Sequence, residues 1–237
     1  MLAYNYFNQV ENSVDPVHGS FVHRDSQYGD AGFEQIPHIT ANETEYGLAL
    51  PNERDNGTLR VTHLIMPTTL LIAVFPNDRE SGWRDFLLWR VPISDQSFQT
   101  FFVLCADVSG EAAQRYLAQP HRYAAFAHDP TIGEIGETVL RGDLRLEDLE
   151  DRRRIVALQD YVSQKGQGAI ADRRHERLGR SDAGVILLRR IWERELRALA
   201  EGRPLTEWRV PERLTPMPSG PPLAAAGGAV GKPALSC

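Results

Sequence analysis

The feature that most restricts the fold is a succession of strand-like segments in the middle of the chain. Residues 58–66 are rich in β-forming side chains, and the pattern continues after Pro67 through residues 69–75. Within residues 85–92, the side chains of Phe86, Leu88 and Arg90 alternate with those of Leu87, Trp89 and Val91. Residues 99–108 form a nearly continuous apolar run. Strands that follow one another through short turns pair as antiparallel neighbours. We therefore expect an antiparallel sheet.

The segment before these strands is polar and rich in turn-forming residues. We expect short strands near residues 33–40 and near residues 45–50. Asn56-Gly57 is a typical signal for a hairpin turn, because both residues tolerate the backbone conformation that such a turn needs. This turn would lead into the strand at residues 58–66.

Helical signals follow the strands. We expect helices over residues 110–118, within residues 141–164 and over residues 183–201, and the second of these delivers Asp160. Ser181 is the expected cap of the last helix. Its predicted buried stripe consists of Val185, Leu188, Ile191, Trp192, Leu196 and Leu199. Strands grouped first and helices later indicate an α+β fold.

Length and charge narrow the class of protein. A chain of 237 residues with a net charge of −6 gives no sign of general nucleic-acid binding. Its longest apolar run, residues 70–75, is far too short to span a bilayer, and its start lacks a secretory pattern, so we expect a cytoplasmic protein without membrane contact. We expect one domain over residues 1–213 and a disordered tail, rich in Pro, Gly and Ala, over residues 214–237.

A polar motif near the N-terminus carries the clearest chemical signal. Asn12, Asp15 and His18 follow one another at intervals of three residues, which places them on one face of a helix. His23 follows five residues after His18. Because neutral imidazole is the commonest metal ligand among side chains, the motif indicates a metal site. The residues alone leave open a surface helix that merely carries two histidines.

The interval of five residues constrains the local backbone. Residues five apart on an ideal helix are rotated by about 140° from one another. His18 and His23 can therefore meet at one ion only if the helix ends or widens between them. Gly19 is a plausible position for that change, and Pro16, which lacks an N–H, belongs near a helix start or a kink. We predict one short, irregular helix.

The pattern Asn-x-x-Asp-x-x-His-x-x-x-x-His, here residues 12–23, resembles the ferrous-iron motif of the Rieske non-heme iron oxygenases. It is most similar to the branch that contains phthalate dioxygenase and the aromatic O-demethylases. Residues 159–168, followed by residues 172–182, resemble the C-terminal region of the same branch. Together the two matches extend the resemblance over about residues 5–213.

The resemblance implies a specific α+β architecture, a curved antiparallel sheet that grips a long C-terminal helix, with a mononuclear ferrous ion (Fe²⁺) between them. His18, His23 and Asp160 would bind the ion, and this set of two imidazoles and one carboxylate leaves positions open for O₂ and substrate. From the residues alone, Asp160 is more simply interpreted as a solvent-facing acid on an ordinary helix.

The resemblance also suggests roles around the ion. Asp15 would accept a hydrogen bond from an imidazole N–H and connect the iron to a Rieske cluster on a neighbouring subunit; otherwise it is a charge at a helix N-terminus. Asn12 would support the ligands or act as a distant fourth contact, with simple helix capping as the alternative. His63 and Trp89 could contact an aromatic substrate, although packing within the sheet or core is the simpler explanation of each.

Cysteine content bears on the electron supply. A Rieske centre needs two Cys and two His, and the two cysteines of this chain, Cys105 and Cys237, lack the required spacing. We expect the 2Fe–2S cluster on another domain or chain. The implied function is hydroxylation or O-demethylation of an aromatic compound with O₂ and electrons from NAD(P)H through a reductase, in a homotrimer. The alternative is a non-catalytic ligand- or iron-binding module of the same fold.

Overall fold

The strand-forming segments pair into an antiparallel sheet, as predicted. The structure is a computed structural model that describes residues 1–26, 35–74, 83–118, 131–150, 152, 154–209 and 211–212. Within these ranges the sheet has seven strands. They are β1 (His38–Ile39), β2 (Asn42–Thr44), β3 (Gly47–Glu53), β4 (Leu59–Ile65), β5 (Thr69–Val74), β6 (Arg84–Ser94) and β7 (Ser97–Ala106). Strands β3 to β7 pair in chain order, and β1 and β2 both pair with β3.

Two features of the predicted strands can be compared directly with the structure. The hairpin at Asn56-Gly57 is confirmed: the backbone N–H of Gly57 donates to the carbonyl of Arg54 at 2.8 Å. The continuation of one strand through Pro67 is wrong, because the chain reverses there and Leu64 of β4 pairs with Leu70 of β5. The predicted strand at residues 33–40 lies partly outside the described residues, and the predicted tail at residues 214–237 lies wholly outside them.

Most of the helices follow the sheet in the chain, which confirms the α+β class. They are α1 (Tyr6–Ser13), α2 (His18–Phe21), α3 (Gly110–Ala118), α4 (Thr131–Leu140), α5 (Ile155–Lys165) and α6 (Ala183–Ala200). Single 3₁₀ turns occupy Leu146–Asp148 and Arg180–Asp182. Within the described ranges, no helix combines the length and the apolar character that crossing a bilayer requires.

Helix α4 was not predicted from the sequence. It contains Gly133 and Gly136, and glycine is a poor helix former, so the local pattern is weak. Packing explains the helix instead: a Cβ on Gly136 would stand 2.3 Å from Cδ1 of Tyr161. The absence of a side chain at Gly136 therefore lets the Tyr161 ring of α5 lie directly on α4.

The main core lies between the sheet and helices α1 and α6. Its buried members are Val10, Val14, Leu48, Leu50, Leu64, Val185, Leu188 and Ile191. Helix α6 lies close to the end of α1 at Gly184, where a Cβ would stand 2.2 Å from the carbonyl oxygen of Val14. The long C-terminal helix thus packs on the same face of the sheet as the N-terminal helix, directly behind the motif.

The predicted buried stripe of α6 is correct only in its first half. Leu196 and Leu199 are 55% and 64% exposed, whereas Ala198 is buried. At about 100° per residue, Leu196 and Leu199 point in nearly the same directions as the buried Val185 and Leu188, so their exposure shows that the packing partners end before the last turns of the helix. The helix is preceded by Asp182 rather than by the predicted cap Ser181, which lies within a 3₁₀ turn.

The two faces of the sheet differ in what covers them. We call the face that packs on the helices the inner face; Leu64, Leu70 and Leu88 share it, since they are cross-strand partners. Strand alternation adds Arg90 and Phe98 to it. A second buried cluster forms there from Tyr4, Phe98, Ile132, Leu158 and Tyr161. The opposite, outer face carries Trp89, and its partner Phe101 is 57% exposed.

Candidate metal centre

The histidine motif folds as two short helices rather than as the single irregular helix predicted. Helix α1 ends at Ser13, and α2 begins at His18. The break therefore lies before His18, around Pro16, which has no N–H to donate to a helix. Gly19, the predicted site of relaxation, lies inside α2. The required helix end between His18 and His23 is present, because α2 stops at Phe21.

Asp15 shapes this break through local hydrogen bonds. Its carboxylate oxygen Oδ1 accepts from the backbone N–H of Val17 at 3.0 Å and from that of His18 at 3.3 Å. Such an Asx turn fixes the start of α2. The imidazole Nδ1–H of His18 donates to the backbone carbonyl of Asp15. The bond predicted between Asp15 and an imidazole N–H is thus present, and the backbone carbonyl of Asp15 accepts it.

His18, His23 and Asp160 come together at one point. Nε2 of His23 lies 3.2 Å from Oδ1 of Asp160, and Nε2 of His18 lies 3.8 Å from the same oxygen. The two imidazole rings are nearly perpendicular, with centroids 5.1 Å apart. One potential ligand atom from each residue lies within 4.8 Å of the other two, and no other such cluster of His, Cys, Asp or Glu occurs within the described ranges.

Both imidazoles are oriented by acceptors for their Nδ1–H groups. The acceptor for His23 is the side-chain oxygen Oε1 of Gln159, at 2.9 Å. With Nδ1 protonated in each ring, the neutral tautomer leaves the Nε2 lone pair available for a metal. The sequence did not single out Gln159. Its position immediately before Asp160 was the available signal, because two adjacent residues of a helix can contact opposite nitrogens of one imidazole ring, here that of His23.

Asn12 supports the carboxylate of the site. Its side-chain N–H donates to Oδ1 of Asp160 at 3.3 Å, so it contacts a predicted ligand rather than the N-terminus of its own helix. Burial alone raises the pKa of Asp160, but the hydrogen bond and charge of His23, the charge of His18 and the Asn12 amide together lower it. Asp160 is therefore ionised at neutral pH, the form that binds a metal.

The pKa values of His23 and Asp15 also depend on burial and on nearby charges. Burial lowers the pKa of His23, yet the hydrogen bond and negative charge of Asp160 outweigh it, so the net shift is upward. Burial raises the pKa of Asp15, which the charge of His18 and the two backbone N–H groups counteract. In the metal-free site, the Asp160 carboxylate and the imidazoles thus attract one another. A bound cation would attract the carboxylate in place of the imidazoles.

The donor set fits a ferrous ion. Nitrogen and oxygen ligands lie about 2.0–2.2 Å from a first-row metal ion, so the ligands of one ion are roughly 3–4 Å apart. The spacings around Asp160 are close to that range, and each imidazole is already held by its far nitrogen. Two imidazoles and one carboxylate form the set that non-heme iron oxygenases use. His18, His23 and Asp160 would hold the ion.

Buried residues of the inner face lie within electrostatic reach of Asp160. Burial and then the charge of Asp160 raise the pKa of Tyr4, whose hydroxyl donates to Oε1 of Gln9 at 2.5 Å. Burial lowers the pKa of Arg90 to about 10, and the charges of Tyr4 and Asp160 oppose that shift. Arg90 was not identified from the sequence, although it directly follows Trp89.

The two predicted substrate contacts do not lie on the inner face. Trp89 alternates with Leu88 and Arg90 and therefore points to the outer face. His63 alternates with Leu64 in the same way, and its Nδ1 is paired with the hydroxyl of Tyr46 at 2.7 Å. Contact of either residue with a substrate stays a prediction, because a strand pattern defines two faces without showing which one a substrate meets.

A buried ion-pair network anchors the helix that carries Asn12. The Glu11 carboxylate accepts from Arg173 at 2.6 Å and from Arg189 of α6 at 2.5 Å. Arg189 also pairs with Glu176 at 2.5 Å. Glu11 lies beside Asn12 in the chain but points to the loop before α6. The network ties α1 to the C-terminal part of the chain, next to the metal centre.

Comparison with known proteins gives relatives but no match to a family model. The chain is 26% identical over 207 residues to the 5,5'-dehydrodivanillate O-demethylase oxygenase subunit of Sphingobium sp. strain NBRC 103272 / SYK-6. That match covers 85% of this chain and 44% of the relative, so the chain spans less than half the length of the curated relative.

Two solved structures share the fold. NdmB of Pseudomonas putida CBB5 superposes with a TM-score of 0.54 at 14% identity, over 85% of this chain and 49% of NdmB. The NdmA QL mutant with caffeine, from the same organism, gives a TM-score of 0.50 at 12% identity with the same two coverages. The chain is therefore a homologue of an O-demethylase oxygenase subunit, and its resemblance to the catalytic domain of the Rieske-type oxygenases is confirmed.

Proposed function

We propose that this chain is the iron-binding catalytic part of an oxygenase that hydroxylates or O-demethylates an aromatic compound. The observation that carries the proposal is the convergence of His18, His23 and Asp160, whose ligand atoms lie within 4.8 Å of one another. The relative acts on 5,5'-dehydrodivanillate, and a vanillate unit joins a methoxy group and a carboxylate on one aromatic ring. We therefore infer a methoxylated aromatic carboxylate as the substrate class.

The residues of the chain divide the work between holding and orienting. When bound, ferrous iron on this set of ligands supplies the activation of O₂. Gln159 and the Asp15 carbonyl fix the two imidazoles through their Nδ1–H groups, and Asn12 holds the Asp160 carboxylate. These contacts keep the three donor atoms directed at one point, so little rearrangement is needed when the ion binds.

The reaction needs electrons from outside the residues described. Removal of a methyl group as formaldehyde consumes O₂, an electron pair and protons, and gives a phenol and water. We propose that the electrons come from NAD(P)H through a reductase and a 2Fe–2S cluster on another domain or chain. Asp15, beside His18, is the residue we propose as the link between that cluster and the site.

Iron content tests the metal centre directly. Wild-type protein reconstituted anaerobically with ferrous iron should hold one ion per chain by elemental analysis. His18→Ala and Asp160→Ala each remove a ligand and should lose most of that iron. His38→Ala is the matched control, since His38 lies on β1 with its side chain exposed and should leave iron unchanged. Equal iron in all four proteins would refute the assignment.

Turnover distinguishes the enzyme from a binding module of the same fold. The iron-loaded chain is given 4-methoxybenzoate with hydrogen peroxide, which replaces O₂ and the electron donors, and formaldehyde is measured. Formaldehyde that depends on His18 and Asp160 supports the oxygenase. Stoichiometric iron without formaldehyde, across a panel of methoxylated aromatic acids, would favour the binding module instead.

A further inference from the structure

A buried guanidinium with two unpaired nitrogen atoms lies on the inner face of the sheet. Arg90 is 4% exposed, and strand alternation places it on the same face as Leu88 and Phe98. Its Nε and Nη1 atoms are buried and have no hydrogen-bond partner among the residues described. Buried N–H groups of a charged side chain are normally satisfied, because leaving them unpaired is costly.

The surroundings of Arg90 connect it to the metal centre. Tyr4 packs against Phe98 and against Tyr161, the neighbour of Asp160 in α5, and all three rings belong to one buried cluster. Strand alternation directs Arg90 toward the helices that cover the inner face, and the charges of Tyr4 and Asp160 act on the guanidinium from that side. No acid within the described ranges forms an ion pair with Arg90 that would account for its burial.

The charge balance of the loaded site leaves room for an anion. A ferrous ion bound by two neutral imidazoles and the Asp160 carboxylate keeps a net positive charge. A protonated guanidinium nearby adds a second positive charge in a region shielded from water. Two like charges in such a place are stabilised by an anion between or beside them, and Arg pairs with carboxylates through two parallel N–H bonds.

We propose that Arg90 anchors the carboxylate of an aromatic acid and thereby holds its ring beside His18, His23 and Asp160. The inference rests on the proposed function and deepens it, because it assigns the residue that selects acids over neutral aromatics. Arg90 carries its free donors on the side of the sheet where the ligands lie, whereas Trp89 lies on the other side. Discrimination would come from donors left unpaired when a ligand lacks the carboxylate.

The test compares acids with amides of the same shape. Binding of benzoate, 4-methoxybenzoate, benzamide and 4-methoxybenzamide to the iron-loaded chain is measured by isothermal titration calorimetry. Wild type should bind the acids at least tenfold more tightly than the amides. Arg90→Gln should weaken the acids by about tenfold to a hundredfold and leave the amides unchanged, in line with the loss of a charge-assisted pair. Arg90→Lys keeps the charge without the paired geometry and should fall between the two.

A control on the same strand separates anchoring from support of the sheet. Arg84 is equally buried on the inner face of β6, six residues and about 20 Å from Arg90. Arg84→Gln should leave the preference for acids intact in folded protein. Equal binding of acids and amides by wild type, or the same loss in Arg84→Gln and Arg90→Gln, would overturn the proposal.

Iron content and peroxide-driven formaldehyde keep this outcome distinct from failure of the proposed function. Arg90→Gln should retain wild-type iron, because Arg90 binds no metal. An iron-loaded, active wild type that shows no preference for acids refutes the anchor alone. A wild type that holds no iron refutes the metal centre. In that case, the preference of the metal-free chain for acids over amides tests the role of Arg90 separately.

Discussion

The two histidines and the aspartate of the candidate metal centre are held by different kinds of interaction. His18 and His23 lie on a segment whose shape is set by contacts a few residues apart, chiefly the Asx turn of Asp15. Asp160 lies on a long helix whose position is set by packing, through Leu158 and Tyr161 in the second core cluster. Local contacts thus position the histidines, whereas the packing of the fold positions Asp160. We call the segment that carries His18 and His23 the local half of the site, and helix α5 with Asp160 the packed half.

The difference teaches where the site can fail. Hydrogen bonds that join the halves cross long stretches of chain, 136 residues from His23 to Gln159 and 148 from Asn12 to Asp160. Damage to the packing of α5 should therefore cost both stability and iron. Damage to the local turn should change little beyond its own segment.

The largest effect should come from the packed half. Leu158 is 1% exposed, and Leu158→Ala should lower the free energy of unfolding by about 2–5 kcal/mol, because it opens a cavity beneath the helix that carries Asp160. Urea denaturation of the metal-free protein measures this loss. Leu117→Ala, at a position 75% exposed in α3, is the matched control and should change it by less than about 0.5 kcal/mol. Similar losses in both would contradict the packing argument.

A change at the junction of the halves should act on iron rather than on folding. Gln159→Leu removes the acceptor for the Nδ1–H of His23, so the ring loses its fixed orientation. Iron affinity should fall by about tenfold to a hundredfold, measured by competition with a chelator. Gln167→Leu, which changes an exposed glutamine just beyond α5, should leave it unchanged. An unaltered affinity in Gln159→Leu would show that the contact does not orient the ligand.

The contact between α6 and the local half can be tested with one methyl group. Gly184→Ala places a Cβ where the carbonyl of Val14 already lies, so helix and turn must separate, and stability should fall by about 1–3 kcal/mol. Gly133→Ala should have the opposite sign, because the nearest atom is 4.0 Å away and alanine favours a helix by about 1 kcal/mol. Thermal unfolding of both variants provides the comparison, and equal shifts would exclude a steric cause.

The smallest effect on stability should come from the local half. Asp15→Ala removes the acceptor of the turn and should cost about 1 kcal/mol, whereas Asp15→Asn keeps an oxygen there and should cost less. Both variants should retain iron. With the cluster-bearing partner added, Asp15→Asn should lose turnover driven by NAD(P)H while it keeps turnover driven by peroxide. Loss of iron in Asp15→Asn would mean that Asp15 is itself a ligand.

The sequence predicted the local half better than the packed half. Antiparallel pairing of β3 to β7 follows from short connections, and the histidine spacing demanded a helix end between His18 and His23, which the structure has at Phe21. The ion-binding role of Asp160 came from resemblance alone, because nothing in a helical Asp shows what lies opposite it.

The misses also have physical causes. Helix α4 escaped prediction because its glycines serve contact with Tyr161 rather than helix formation. The sequence pattern also did not show that Arg90, and not its neighbour Trp89 in β6, lies on the face that packs on the helices. Alternation along a strand separates two faces, but only tertiary packing decides which face meets the helices. The two-residue repeat of the side chains does not contain that information.

The contact of Gly184 with Val14 has a consequence for biosynthesis. The histidines leave the ribosome well over a hundred residues before their partners on α5 and before the helix that closes on Val14. Domains fold during synthesis as their elements become available, and contacts distant in sequence form slowly. Metal acquisition should thus wait until Asp160 has emerged from the ribosome. Nascent chains stalled before Asp160 should carry both imidazoles and still fail to retain iron.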